Sequence, residues 1–227
     1  MGQLIETSAP LFSSPIVKKT NLVESEAGTG KKRLRVTLPW CRVGHVNQNN
    51  RVYPKNVWER NLTEDSKFMR RLKERRVIGE FEHPESGVTD PRRGSHLWEK
   101  VWIERLEEGN PYNVPPGEYC MGTYITADTP NGRILREWLE LKVPIGCSTR
   151  GKGDTEVREG SVEWVKENYE LDTIDVVYEP SVAEARPTPE NVKEVTEQAQ
   201  ADMGLSLIHI SEPTRLLSIS YAVFCLK

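Results

Sequence analysis

Cysteine is scarce in this chain. Its 227 residues include four, at positions 41, 120, 147 and 225. They show neither CxxC spacing nor the paired spacing of a disulfide framework. A cysteine-built metal site and a stapled secreted fold are therefore excluded, and the thiols are expected to be reduced, in a cytoplasm. Long apolar runs are missing too. No stretch approaches the roughly 18 residues of a spanning helix, and mean hydropathy is -0.59. The first residues, MGQLIETSAP, lack the basic and apolar regions of a leader. Glu6 stands where a myristoylation motif wants Ser or Thr. Nor is there an excess of positive charge. With a net charge of -3 the molecule has no electrostatic footprint for nucleic acid. The locally basic run Lys67–Arg76 reads as the solvated face of a helix. What these absences leave is a soluble globular chain, with no expected membrane or nucleic-acid partner and enough length for one domain with a real core.

The chain divides into three parts by composition. Residues 1–30, rich in Ser, Thr, Gly and Glu, read as a flexible arm. Residues 31–200 read as one domain. From Leu205 the text changes abruptly to LSLIHISEPTR and then ISYAVFCL, apolar strings with no helical or strand period. Both resemble the in-frame translation of a sequencing adapter and its primer. Residues 205–227 are therefore set aside as a non-native tail, and His209 and Cys225 carry no functional weight.

Within the domain, RLRVTLPWCRV alternates as a half-buried strand does, and NQNNRVYP is a turn cluster leading into a helix that begins at Pro54. The helical stretch to residue 75 breaks at Leu62–Thr63, with Thr63 as the second cap. VIGEFEH reads as a short strand, and SHLWEKVWIERLEE as a longer one burying Leu97, Val101 and Ile103. EYCMGTYIT is a further strand. A helix over 128–142 follows, capped by Asp128 or Thr129, with Ile134, Leu135, Trp138, Leu139 and Leu141 as its apolar stripe. VPIGCSTRGKG reads as a strand entering a glycine-rich turn. VEWVKENYE and LDTIDVVYEPS add two strands, and 187–203 a final surface helix. Six or seven strands with short loops and two or three helices favour an antiparallel α+β domain or a small barrel flanked by helices.

Chemistry narrows to few residues. Three histidines lie outside the tail: His45 near a polar turn, His96 at the start of a strand, and His83 where a strand breaks into a loop, a common place for catalytic groups. Ser148 stands in PIGCSTRGKG, where glycines 146, 151 and 153 let backbone approach a substrate and turn amides can form an anion nest. A serine nucleophile needs a base and oxyanion donors, and this setting can offer both. The same text also suits a phosphate-binding turn. Cys147 is the rival nucleophile, but side chains adjacent in a strand point to opposite faces, so only one of the two can face His83.

Five segments in order resemble the prohead core proteases of T-even-type tailed phages. GEFEHPES is similar to that family's histidine box, and IGCSTRGKG to its serine box. NQNNRVYP, TPNGRILREWL and IDVVYEPSVAEA match three further conserved stretches. The resemblance covers residues 36 to 186. It implies a mostly antiparallel β-barrel surrounded by helices, shared with herpesvirus assemblin. It also implies a serine endopeptidase with His83 as base and Ser148 as nucleophile. For the acid it favours Asp175, with Asp172 as the fallback and Glu80 and Glu82 left open. Arg150 and Gly151 fall to an oxyanion or substrate-binding role. The substrates implied are scaffold, core and capsid proteins, and the chain itself. The setting is a prohead assembling in the host cytoplasm, with a homo-oligomer as the acting form and no metal or cofactor. The competing readings are a non-catalytic assembly protein that keeps the fold, and a phosphate- or nucleic-acid-binding module.

Overall fold

The computed structural model describes residues 32–195. The expected N-terminal arm, the end of the domain and the adapter-like tail lie outside the described residues. The described part is mixed α+β and mostly strands. Its largest sheet is antiparallel and is built from β1 (Arg33–Arg42), β3 (Ile78–Glu80), β4 (Gly94–Leu106), β5 (Gly117–Thr126) and β10 (Val192–Val195), in the order β10-β1-β5-β4-β3. A second sheet joins β2 (Arg51–Val52), β8 (Glu163–Val165) and β7 (Thr155–Val157), with β2 parallel to β8. The third is the antiparallel pair β6 (Gly146–Lys152) and β9 (Glu170–Val177). Among the described residues these ladders show no closed barrel.

Local patterns explain the elements. In β1, Leu34, Val36 and Leu38 alternate inward, and a bulge at Pro39–Cys41 lets Trp40 and Cys41 both turn to the core. A bulge between Trp98 and Lys100 likewise shifts the phase of β4. His96 and Trp98 are buried before it and Val101 after it, whereas Leu97 and Ile103, expected inside, are only half-buried. Three helices flank the sheets: α1 (Lys55–Asn61), α2 (Lys67–Lys73) and α3 (Pro130–Glu140). The cap of α2 is Ser66, whose Oγ accepts from the Met69 N–H at 3.1 Å. Thr63 instead donates to Arg60 O. Thr129 caps α3 through the Gly132 N–H. Only two of its five stripe residues, Leu135 and Leu139, are buried, while Ile134, Trp138 and Leu141 face outward. The expected final helix is corrected as well. Over its described part the chain forms a short 3-10 turn at Pro189–Asn191 and then β10, which pairs with the edge of β1 from Arg33↔Val195 to Val36↔Val192. Four residues are too few for a period to declare itself, and an open strand edge satisfies their backbone groups.

The core is aromatic. Trp40, Trp58, Trp98 and Tyr124 are almost wholly buried, and α2 contributes Phe68 and Leu72. Trp40 meets Trp58 edge-on at 5.0 Å between centroids, a favoured ring geometry. Strand β9 runs through the centre. One edge pairs with β6. On the other, the Glu82 N–H donates to Val176 O at 2.8 Å, and Phe81 forms a parallel bridge with Val176. No described helix is long and apolar enough to cross a membrane.

Candidate active site

The β6–β9 register places Ser148 directly opposite Asp175. The chain leaving β3 along β9 delivers His83 above the same pair. His83 Nδ1 lies 2.7 Å from Asp175 Oδ2, and its Nε2 lies 3.0 Å from Ser148 Oγ. Asp175 is fully buried, whereas the His83 side chain is 41% exposed. An ionised carboxylate can only accept, so Nδ1 carries the proton and Nε2 accepts from the Ser148 hydroxyl. Burial by itself pushes the Asp175 carboxyl up. Hydrogen bonds from His83, Arg150 and the Glu80 N–H outweigh it and hold the group below the usual carboxylate range.

Cys147 points the other way. It is buried, and burial above all drives its thiol well up, with the Asp175 charge adding to the effect. A thiol held protonated is a poor nucleophile. His45 is exposed, and His96 is buried on the opposite side of β9.

The segment read as a glycine-rich turn is strand as far as Lys152. Gly151 and Gly153 are required for a different reason than a turn. A Cβ on Gly151 would sit 2.5 Å from the Tyr169 ring, and one on Gly153 2.5 Å from Tyr169 Cα. They let β9 and Tyr169 approach closely, and neither has the positive φ of a turn glycine. The expected anion nest is therefore absent from this stretch. The Cys147 N–H donates to Ala185 O, and Val176 O accepts from Glu82, so position 147 does not exchange hydrogen bonds with β9. Antiparallel alternation then turns the backbone groups of Ser148 and Arg150 toward β9, and the Thr149 N–H toward the open edge.

That edge borders a cleft of about 450 Å³ whose walls include Arg51, Tyr53, His83, Thr149, Gly151 and Tyr169. A serine, a base oriented by a buried carboxylate, and an open strand edge beside a cleft are the parts acyl transfer needs. Among the described residues no group of three or more His, Cys, Asp or Glu is placed to hold a metal ion.

Of the alternatives for the acid, Asp172 pairs with Arg71 at 2.7 Å. Glu80 is buried against Arg93 and accepts the Asp90 N–H. Glu82 accepts the Tyr178 N–H. None of the three has a hydrogen bond to His83 among those described. The Arg150 guanidinium lies on Asp175 and not on the open edge. Thr149, Tyr53 and Tyr169 escaped the sequence reading, since only the fold brings them to one cleft.

A model of the peptidase S80 family matches residues 35–215. The chain belongs to that family. The S80 match runs past residue 204, where the sequence reading ended the natural chain. The chain is 28% identical over 163 residues to the prohead core protein protease of Enterobacteria phage T4, covering 71% of this chain and 69% of that protein. Its fold is similar to that of the bacteriophage T4 capsid assembly protease, with a TM-score of 0.53 and 20% identity over 64% of this chain and 81% of the other. The S80 assignment gives a peptidase.

Proposed function

We propose that this peptidase is a serine endopeptidase of phage capsid maturation. It would act on scaffold, core and capsid proteins inside a prohead assembling in the host cytoplasm, process itself, and work as a homo-oligomer. The observation that carries the reading is the chain of two hydrogen bonds, Asp175 to His83 to Ser148, at the edge of a cleft. The T4 prohead core protein protease supports the setting.

His83 takes the Ser148 proton as Oγ attacks the scissile carbonyl. Asp175 stabilises the imidazolium and keeps its ring oriented. The carbonyl oxygen becomes an oxyanion at the open edge, where the Thr149 N–H is the donor we assign, with Gly151 lining the same side. His83 then protonates the leaving amine, and water enters by the reverse route to release the acyl group. Every proton in this cycle moves between protein, substrate and water.

The test is reaction with a fluorophosphonate probe, followed by mapping of the adduct. Labelling at Ser148 that disappears in His83→Ala is the expected result. An intact, folded protein that takes no label, and leaves the scaffold protein of its own phage uncut, would overturn the protease reading in favour of a non-catalytic assembly protein.

A further inference from the structure

We infer that Arg150 is a positioning residue: its guanidinium holds the Asp175 carboxylate against His83 and ties the loop carrying His83 to the strand carrying Ser148. This rests on the Ser148–His83–Asp175 reading above and assigns Arg150 away from the oxyanion.

The contacts account for four of the five guanidinium N–H groups. Nε donates to Asp175 Oδ2 at 2.8 Å and Nη2 to Asp175 Oδ1 at 3.2 Å, a two-point grip on both carboxylate oxygens. Nη2 donates again to Thr89 Oγ1 at 3.1 Å, and Nη1 to Gly87 O at 3.1 Å. A guanidinium has five N–H groups. Four are used in these bonds, and the fifth lies on Nη1, which stands 3.7 Å from Asp172 Oδ2. Four of the five donors are thus committed to the protein itself and not to a substrate oxygen.

Arg150 therefore bridges two pieces that the sequence keeps far apart. Asp175 and Ser148 face each other across β6–β9. His83 sits on the segment between β3 and β4, and Gly87 and Thr89 lie a few residues beyond it in the same segment. Asp175 Oδ2 accepts from both His83 Nδ1 and Arg150 Nε. A carboxylate held at four points cannot rotate away from the imidazole. Lysine would bring the charge without the fork.

The charge matters as well as the fork. Asp175 is faced by His83, by Arg150 and by the Glu80 backbone, with His96 beneath β9 and Cys147 beside it. Around Arg150 stand Glu80 and Asp172, themselves paired with Arg93 and Arg71. Three carboxylates thus face three guanidiniums. Removing the Arg150 cation leaves the buried Asp175 and Glu80 and the partly exposed Asp172 facing two guanidiniums, so the cluster takes up a proton at higher pH.

The experiment is the rate of Ser148 labelling by a fluorophosphonate from about pH 5 to about pH 9. In Arg150→Gln the rate at its plateau is expected to fall about 100-fold, with the acid limb displaced upward by about one unit. Arg150→Lys recovers part of the rate and most of the limb. A downfield Nδ1 proton resonance of His83 is expected in the unsubstituted protein, from its short bond to Asp175, and is expected to be lost in Arg150→Gln. A slower Arg150→Gln with its acid limb and that resonance unmoved overturns the inference, since it places Arg150 on the transition state alone. Should Arg150→Gln fail to fold, Arg150→Lys decides, and unsubstituted rates and limb there overturn the inference equally. Absence of labelling in the unsubstituted protein is a separate result that removes the Ser–His–Asp reading itself.

Discussion

Two serine–histidine pairs lie against β9 and differ in almost everything that matters for chemistry. His83 reaches Ser148 at 3.0 Å and the Asp175 side chain at 2.7 Å. His96 reaches Ser95 at 2.9 Å and the carbonyl of the preceding residue, Ile174, at 3.1 Å. Each ring has a hydroxyl on one nitrogen and an acceptor on the other. His96 is completely buried, however, under Gly79 and between Trp98 and Tyr124. Burial brings its pKa down to about 4, against smaller opposing effects of Asp175 and the Ile174 carbonyl. A neutral carbonyl cannot stabilise an imidazolium as a carboxylate does, and no substrate can reach Ser95. A Ser–His contact is therefore cheap to form. A formal negative charge on the second nitrogen and an open edge beside the first are what turn it into a candidate site.

The largest expected contrast is between the two serines. Ser148→Ala should lower cleavage of the scaffold protein by about 10⁴-fold or more. Ser95→Ala, which loses a buried hydrogen bond, should cost about 1 kcal/mol of stability and leave the rate nearly unchanged. Comparable losses of activity in both would erase the distinction. Asp175→Asn tests the charge on the second nitrogen directly. The rate is expected to drop about 10⁴-fold, because the amide no longer enforces the Nδ1–H tautomer. Near-normal turnover in this variant would show that a neutral acceptor suffices, as at His96.

Smaller effects sharpen the structural side. His96 binds a proton near pH 6.5 when unfolded but only at about 4 in the native protein. The unfolded state therefore binds more protons between those values, and stability falls as pH drops through that window. The expected loss is about 3 kcal/mol, read from denaturant unfolding at successive pH values. The slope should flatten in His96→Gln, and an equal slope there would assign it to other groups. Gly79→Ala would put a Cβ 2.2 Å from the His96 ring and 2.5 Å from Ile174 O. It should cost about 3 kcal/mol in the same assay, and a neutral outcome would mean that the ring can move. Least affected should be Cys147→Ala, with activity within about threefold and a loss near 2 kcal/mol for a small buried side chain. Lost cleavage in that variant, with Ser148→Ala still active, would reverse the choice of nucleophile.

Much of the fold was legible where one period ran unbroken, as in β1 up to its bulge, or where a short, largely apolar run marked a strand buried on both faces, as in β5. It was illegible where something non-local reset the pattern. In β4 Val101 is inside as expected, but ahead of the bulge His96 and Trp98 are buried in place of Leu97, and α3 kept only Leu135 and Leu139 of its stripe against the sheet. Strand β10 exists because β1 offers it an edge. The glycines after Ser148 read locally as a turn, yet it is Tyr169, far along the chain, that requires them.

For the site, residue types offered His83 and Ser148 as candidates with Cys147 as the rival, and the resemblance of five ordered segments to the phage proteases raised that pair and favoured Asp175 as the acid. A strand's two-residue alternation already forbids Cys147 and Ser148 from sharing a face. The choice among Asp175, Asp172, Glu80 and Glu82, and the orientation of Arg150, were beyond it. Those depend on hydrogen bonds between residues some 25 to 95 positions apart. Such contacts are fixed by strand register and by the course of the loop after β3. The composition said that this chain could carry a nucleophile and a base, and only the packing of β3, β6 and β9 set a carboxylate behind one histidine and a carbonyl behind the other.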